Sequence, residues 1–322
     1  MFEILIFFFS SRLPRSRWLF RLTFNLYAYF YKIRGKDLHF DALRFENATW
    51  VSDSLIKCGS TNKTIELVVV STSKDFDILY HSVTFALKAI SSYRSGGVRI
   101  IVPSRDVEEC RLLFDDLSNL VTVVDESSLV SRSQFSVITN GFGPRNTWVL
   151  QQLLKVRAVM ESKSDAVLIL DSDTVLLRKR AWFDAHGRQI LMPTSEFNPP
   201  YYQFLNKLGI GLAIPKYSFI SHHMIMQPEV LRGILMNVGL AELDNLIEYC
   251  VEHSDRSVQS PICIEYELYG QSIFDKNHDL FFIAPWSNAT IPKRYSKLIL
   301  KSRVLKFILA KFFYSISFHS WS

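Results

Sequence analysis

The 322-residue chain has no G-x-G-x-x-G, no G-x-x-x-x-G-K-S/T and no G-x-S-x-G. Without those glycine-centred turns there is no dinucleotide fingerprint, no phosphate-cradling loop and no nucleophile elbow, which sets aside Rossmann dehydrogenases, P-loop NTPases and α/β-hydrolases. Cysteine is scarce: Cys58, Cys110, Cys250 and Cys263 stand far apart and form no C-x-x-C or Cys/His cluster. Structural zinc and dithiol redox chemistry are thereby excluded, and a reducing cytoplasm is the expected setting. The sequons at Asn47, Asn62 and Asn288 have no secretory context. Long apolar runs are missing too. The longest near the start, Ile4–Phe9, falls far below the roughly 18 residues of a membrane span. Arg12, Arg15 and Arg17 follow that run, whereas a secretory signal puts its charge first. Internal repeats and low-complexity tracts are absent.

Acid is what the two ends lack. Residues 1–36 carry seven Lys/Arg against Glu3 alone, and residues 280–322 carry seven with no acid, so the span between them is net acidic although the whole chain is +6. The basic ends are also aromatic, with Trp18, Phe20, Phe24, Tyr27, Tyr29, Phe30 and Tyr31 set among Arg15, Arg17, Arg21 and Lys32. Cations mixed with aromatic rings suit an anionic bilayer interface better than nucleic acid. Over Lys297–Tyr314, Lys297, Lys301 and Lys311 share one helical face while Arg303 and Lys306 fall elsewhere. Both ends are therefore expected either at the inner face of a membrane, as peripheral contacts, or packed against the domain.

With 48% hydrophobic and 21% charged residues, the chain has material for one large α/β domain or two smaller ones. Ile65–Ser71 reads as a strand, Asp75–Tyr93 as a helix broken by Gly96-Gly97, Val98–Val102 as a strand, Ser104–Asn119 as a helix and Leu120–Val124 as a strand ending at Asp125. That alternation predicts a mostly parallel sheet with right-handed crossovers. Residues 126–146 read as a loop. A helix from Thr147 turns Val149, Leu153, Val156 and Met160 inward, with Gln151 and Lys155 on the opposite side. Farther on come short strands at Ile190–Pro193 and Ser221–Gln227, a loop at Pro199–Tyr202, and a helix from Pro228.

Between the Thr147 helix and those later elements lies Ala166-Val167-Leu168-Ile169-Leu170, a buried-strand pattern, followed at once by Asp171-Ser172-Asp173. Ligands of open α/β sheets gather at strand carboxyl ends. Alternation sends Asp171 and Asp173 to one side, where their hard oxygens suit a divalent cation. Asp and Ser are also ordinary turn formers, so the triplet alone is a weak signal.

The order of these parts, a strand-helix-strand half followed by an apolar strand ending in D-x-D, resembles GT-A-type glycosyltransferases that use nucleotide-sugar donors. Trp148 with Gln151-Gln152-Leu153-Leu154-Lys155, Ser221-His222-His223-Met224 and Glu265-Tyr266-Glu267-Leu268-Tyr269-Gly270 resemble segments of bacterial enzymes associated with surface-polysaccharide or lipopolysaccharide synthesis. The resemblance implies a GT-A-like domain over 61–322, with a nucleotide-binding half 61–173, an acceptor half 174–290 and a basic segment 291–322, preceded by an extension 1–60. It implies Mn²⁺ or Mg²⁺ held by Asp171, Asp173 and His319 against the donor diphosphate. It also places Asp75, Asp77, Gln151, Lys155, Ser172 and His223 at the donor, Glu265 or Glu267 as the base that deprotonates the acceptor, and a glycan or lipid-linked glycan as acceptor. On a strand Glu265 and Glu267 share a face; on a helix start one of them only complements the dipole. His222 and His223 cannot both enter the cleft if they alternate along a strand.

Two other readings use the same residues. Asp171-Ser172-Asp173-Thr174 also fits the start of haloacid-dehalogenase-type phosphatases, with Asp171 as nucleophile. That motif opens its domain, whereas here three strands precede it, and no later paired-acid motif follows. A non-catalytic, membrane-peripheral binding protein is the third reading, and the intact acid pair argues against it.

Overall fold

The computed structural model describes residues 62–319 apart from 195, 197, 212–214, 216, 256–261, 263, 277 and 285–287; the expected extension 1–60 and its membrane contacts lie outside them. Four strands run parallel: β1 (Thr64–Val70), β2 (Arg94–Val102), β3 (Val121–Asp125) and β4 (Ala166–Asp171). A fifth, β7 (His223–Met226), pairs antiparallel with β4, and the sheet order is β3-β2-β1-β4-β7. The expected α/β class with a mostly parallel sheet flanked by helices is what forms.

Alternation along the strands feeds two cores. Val68, Val70, Val167 and Ile169 face α4 (Asn146–Glu161), α6 (Pro228–Asn237) and α7 (Leu243–His253). Ile65, Leu67, Val69, Leu168 and Leu170 face α1 (Phe76–Ala89), whose Leu79, Val83 and Ala86 make a helical stripe, and α2 (Val107–Leu113). Each fully buried Leu, Ile or Val contributes about 1.5–3 kcal/mol, so these faces fix the strand register.

The remaining strands form two small sheets. β5 (Thr174–Leu176), β10 (Ser315–His319) and β9 (Asn288–Pro292) lie in the order β5-β10-β9, and β6 (Gln189–Leu191) pairs parallel with β8 (Phe281–Ile283). Val175, Ile316 and Phe318 pack with Ile78 of α1 and with Ile299 and Leu300, a third core that fastens the C-terminal segment to α1 and β5. Asn288, a sequon residue, lies in β9, buried and bonded to Ser315 and Ser317.

Several local readings change. Residues 126–146 are not a loop: Arg132–Phe142 is helix α3, started by a capping box in which Ser131 Oγ accepts from Gln134 N (3.2 Å) and Gln134 Oε1 accepts from Ser131 N (2.8 Å). Most of α3 faces solvent, which dilutes the hydrophobic period. Pro199-Pro200 start helix α5 (Pro199–Lys207) rather than a loop, occupying the first turn where no N–H is required. Gly96 and Gly97 lie inside β2, at a register shift opposite Ile65–Leu67. A Cβ on Gly96 would stand 2.9 Å from the backbone nitrogen of Glu66, and Gly97 has φ +86°, so both positions of this bulge need glycine.

Candidate active site

The strand order reverses between β1 and β4: the chain moves outward from β1 to β2 and β3, then returns to β1's other side. The crevice at such a reversal is where open α/β sheets bind ligands. Val70 and Asp171 are partners across it, so the segments after β1 and β4 leave the sheet side by side.

Asp171 ends β4 and is held from three directions. Lys155 Nζ of α4 donates to its Oδ1 at 2.5 Å, Tyr266 OH donates to the same oxygen at 2.7 Å, and His222 Nδ1 lies 3.1 Å from Oδ2. Burial disfavours its charge, but Lys155 and His222 outweigh it and hold the carboxyl well below the usual carboxylate range. Its backbone N–H also donates to His222 O at 2.9 Å. His222 has φ 61°, the sole positive φ outside glycine among the described residues. Strain of this kind persists where the surroundings over-determine a residue, and here it turns the ring onto Asp171 just before β7 begins. Burial works against the imidazolium, yet the bond to Asp171 raises its pKa overall.

Lys155 also meets Glu265 Oε2 at 2.9 Å, so one buried ammonium serves two carboxylates. Burial alone would lower its pKa, and Asp171 and Glu265 together raise it. Glu265 is pushed up to about 7, by burial first, with the charge of Asp171 adding and Lys155 opposing. Glu265 immediately precedes α8 (Tyr266–Lys276), which settles its setting as a helix start. Gln152, one turn before Lys155's neighbour on α4, fixes the approach to it by accepting from Ile264 N at 2.8 Å.

Asp173 lies on the far side of the Ser172 turn. His319 Nδ1 reaches its Oδ2 at 3.3 Å, and the backbone N–H of Phe318 donates to Asp173 O at 2.9 Å, so β10 delivers the histidine. The rings of His319 and His222 are 5.2 Å apart, which joins the two aspartates into one cluster. Exposed Glu196 is electrostatically coupled to the same groups. Ser172 Oγ donates to Asp75 Oδ2 at 3.1 Å, and its carbonyl accepts from Ser82 Oγ at 2.9 Å. Lys293, just past β9, spans Asp75 (2.9 Å) and Asp77 (3.4 Å). The crevice is thus lined by acids from both strand ends, with Lys155 on Asp171, Lys293 on Asp75 and Asp77, and the His319 ring on Asp173.

Residues 64–203, from β1 through Asp171-Ser172-Asp173 into α5, match the model of a family of unknown function, DUF6492. No curated protein sequence matches the chain. Solved structures similar to it include mouse xyloside xylosyltransferase 1 in its apo form, 11% identical at a TM-score of 0.45, covering 80% of this chain and 98% of that one. The galactosyltransferase LgtC in complex with donor and acceptor sugar analogs is 10% identical at a TM-score of 0.42, covering 79% of this chain and 86% of that one. An active-site mutant of LgtC is 11% identical at 0.45 with the same coverage.

Of the expected residues, the structure brings together Asp171, Ser172, Asp173, Lys155, Glu265, His319, Asp75 and Asp77. Others lie apart. His223, not His222, points into the core: it is buried edge-on to Trp182 at a ring distance of 5.9 Å, and burial first, then Arg180, pushes its imidazole down to about 3. Glu267 is buried beneath the site, where its Oε1 accepts from Ser218 Oγ (2.6 Å), Tyr202 OH (3.0 Å) and Phe219 N (3.0 Å) and its Oε2 from Gln271 (2.7 Å). Burial raises its pKa and those donors oppose the rise. Gln151 is half-buried one turn before Lys155 and makes no hydrogen bond to the cluster. Lys155 itself is buried rather than on a solvated face. Sequence reasoning did not single out Tyr266 or Lys293. Tyr266 carried a signal, sitting between the two glutamates, whereas nothing about Lys293 distinguished it among the basic residues of its segment.

Proposed function

We propose that the protein is a GT-A-type glycosyltransferase that moves a sugar from a nucleotide-sugar donor to a glycan acceptor. The observation that carries this reading is the position of Asp171-Ser172-Asp173 at the carboxyl end of β4, in the crevice where the strand order reverses, with Asp75 opposite it and His319 delivered onto Asp173. The nucleoside end of the donor lies toward Asp75 and Asp77, and its diphosphate toward Asp173 and His319. Glu265, a carboxyl with a pKa raised to about 7, takes the proton of the attacking acceptor hydroxyl as the new glycosidic bond forms and the bond to the nucleoside diphosphate breaks. Lys155 and Tyr266 keep Asp171 charged and oriented while this happens. Resemblance of the Trp148, Ser221 and Glu265 segments to bacterial enzymes supports a surface-polysaccharide or lipopolysaccharide acceptor, lipid-linked or free.

The residues fit a divalent cation. Asp173 Oδ2 and His319 Nδ1, 3.3 Å apart, supply one edge of a coordination shell in hard oxygen and imidazole nitrogen. Among the described residues no three His, Cys, Asp or Glu side chains form a closed cage. Mg²⁺ and similar ions commonly take one or two carboxylates and complete their shell with substrate phosphate and water. Asp171 would join directly or through water, and a Mn²⁺ or Mg²⁺ ion held by these residues would supply Lewis acidity toward the leaving diphosphate. Nothing favours the phosphatase reading: the triplet follows the fourth strand of the sheet, and both oxygens of Asp171 are engaged by neighbours.

The test is calorimetric titration with nucleoside diphosphates, with and without Mn²⁺, on the native chain and on Asp173→Asn. Binding of one nucleotide that strengthens at least tenfold with Mn²⁺ in the native chain and loses that gain in the variant is expected. A native chain that binds none of the nucleotides sinks the assignment.

A further inference from the structure

Helices α9 (Ser296–Lys301) and α10 (Arg303–Phe312) turn an apolar and cationic face away from the domain. On α10, Leu305 and Leu309 pack inward on the third core, while Val304 (67% exposed), Phe307 (64%) and Ile308 (46%) point out. Apolar side chains thus stand on both sides of α10, the inner ones covered by the domain and the outer ones interleaved with Arg303 and Lys311. Single exposed hydrophobics are ordinary, but of the ten large ones exposed among the described residues, five fall between Tyr295 and Ile308, Leu298 among them.

The same face is cationic. Arg294, Lys297, Lys301, Arg303 and Lys311 are exposed, and residues 280–319 contain no acid. Ser302, whose side chain caps α10 by accepting from Leu305 N at 3.1 Å, breaks the helix that the sequence suggested over Lys297–Tyr314. The break puts Arg303 on the exposed side with Lys311, and Lys306 turns in to donate to Leu300 O at 2.6 Å. Lys311 lies over the Phe307 ring at 4.7 Å, its charge held beside the apolar row.

We propose that this face lies on an anionic lipid surface. Apolar side chains interleaved with cations fit the acyl–headgroup boundary, where both are satisfied at once. A second copy of the chain would set cations against cations. At ten residues, roughly 15 Å, α10 lies on a bilayer and does not cross it. β10 follows α10 directly and carries His319 to Asp173, so a contact made by α10 would tether the strand that reaches the crevice. A lipid-borne acceptor there is the extension that rests on the glycosyltransferase reading; the surface itself does not.

The experiment is flotation of the full chain with vesicles of phosphatidylcholine alone and of equal parts phosphatidylcholine and phosphatidylglycerol. It is repeated on Phe307→Ser with Ile308→Ser, and on Lys297→Glu with Lys301→Glu and Arg303→Glu. The native chain is expected to float with the anionic vesicles only, and each variant set to lower the bound fraction at least tenfold. Melting temperature and nucleoside diphosphate binding should stay native-like, which separates this outcome from failure of the catalytic assignment. Equal flotation of native and both variant sets, or none by the native chain, overturns the proposal. A native dimer that the apolar variant turns into monomer, without vesicle binding, assigns the face to a second copy and overturns it as well.

Discussion

Replacing Lys155 by methionine keeps the apolar stem and deletes the ammonium that Asp171 and Glu265 share at 2.5 and 2.9 Å. Removing one partner of a buried ion pair costs about 3–5 kcal/mol, because the charge left behind has lost both water and counter-ion. Two carboxylates are stranded here, yet neither is wholly bare. Asp171 keeps Tyr266 and His222, and Glu265, already raised to about 7, escapes by taking up a proton. At pH 8, where Glu265 is charged, Lys155→Met should therefore lose about 3–5 kcal/mol, a large part of the 5–15 kcal/mol a domain has. At pH 6 the loss should shrink to about 1–3 kcal/mol, the cost of one under-satisfied group. Adding Glu265→Gln to Lys155→Met should recover most of the pH 8 deficit. Urea unfolding curves at the two pH values measure all three quantities. A loss below about 1 kcal/mol at both, the range of a solvent-exposed pair, would falsify the picture of Lys155 as a buried shared counter-ion.

The raised carboxyl of Glu265 makes a second prediction. Its proton is bound more tightly folded than unfolded, so its contribution to stability is full below about 4.5 and is lost as pH rises through about 7. The native chain should lose stability relative to Glu265→Gln across that window, at up to about 1.4 kcal/mol per pH unit, and parallel pH–stability curves would contradict it. Turnover should rise through the same window if Glu265 is the base, and Glu265→Gln should abolish transfer while keeping nucleotide binding. Gly270→Ala tests packing behind the site: a Cβ there would stand 2.6 Å from that of Phe219, so a loss of about 1–3 kcal/mol in unfolding free energy is expected, and a neutral outcome would mean the contact yields freely.

Much of the sheet was legible because β1 and β4 are continuous β-branched and Leu-rich runs, the mark of strands buried on both faces. α3 was hidden: its core side is little more than Ile138 and Phe142, and the Ser131/Gln134 capping box that starts it is a polar signal that hydrophobic periodicity does not register. The acid pair could be placed at a strand end from local sequence alone. Of what surrounds it, Lys155 and His319 were expected only through the resemblance, and the contacts of His222 and Tyr266 with Asp171 were not expected, because these residues come from four separate segments and meet only through sheet order. The choice between His222 and His223 turned on one residue of strand register, and the strand begins at His223.

Thr174 and Ser317 share a hydrogen bond across 143 residues of chain, and the β5–β10 pairing that sets β10 beside Asp173 is comparably remote. Synthesis runs from β5 toward β10 at about 5–20 residues per second, so the acid half waits roughly 7–30 s for its histidine. In that interval Val175 and Ile78 lack Ile316 and Phe318 over them, an apolar opening for aggregation or for a chaperone. A nascent chain with an intact β1–β4 sheet therefore still lacks the His319 ring beside Asp173, which arrives only when β10 docks between β5 and β9.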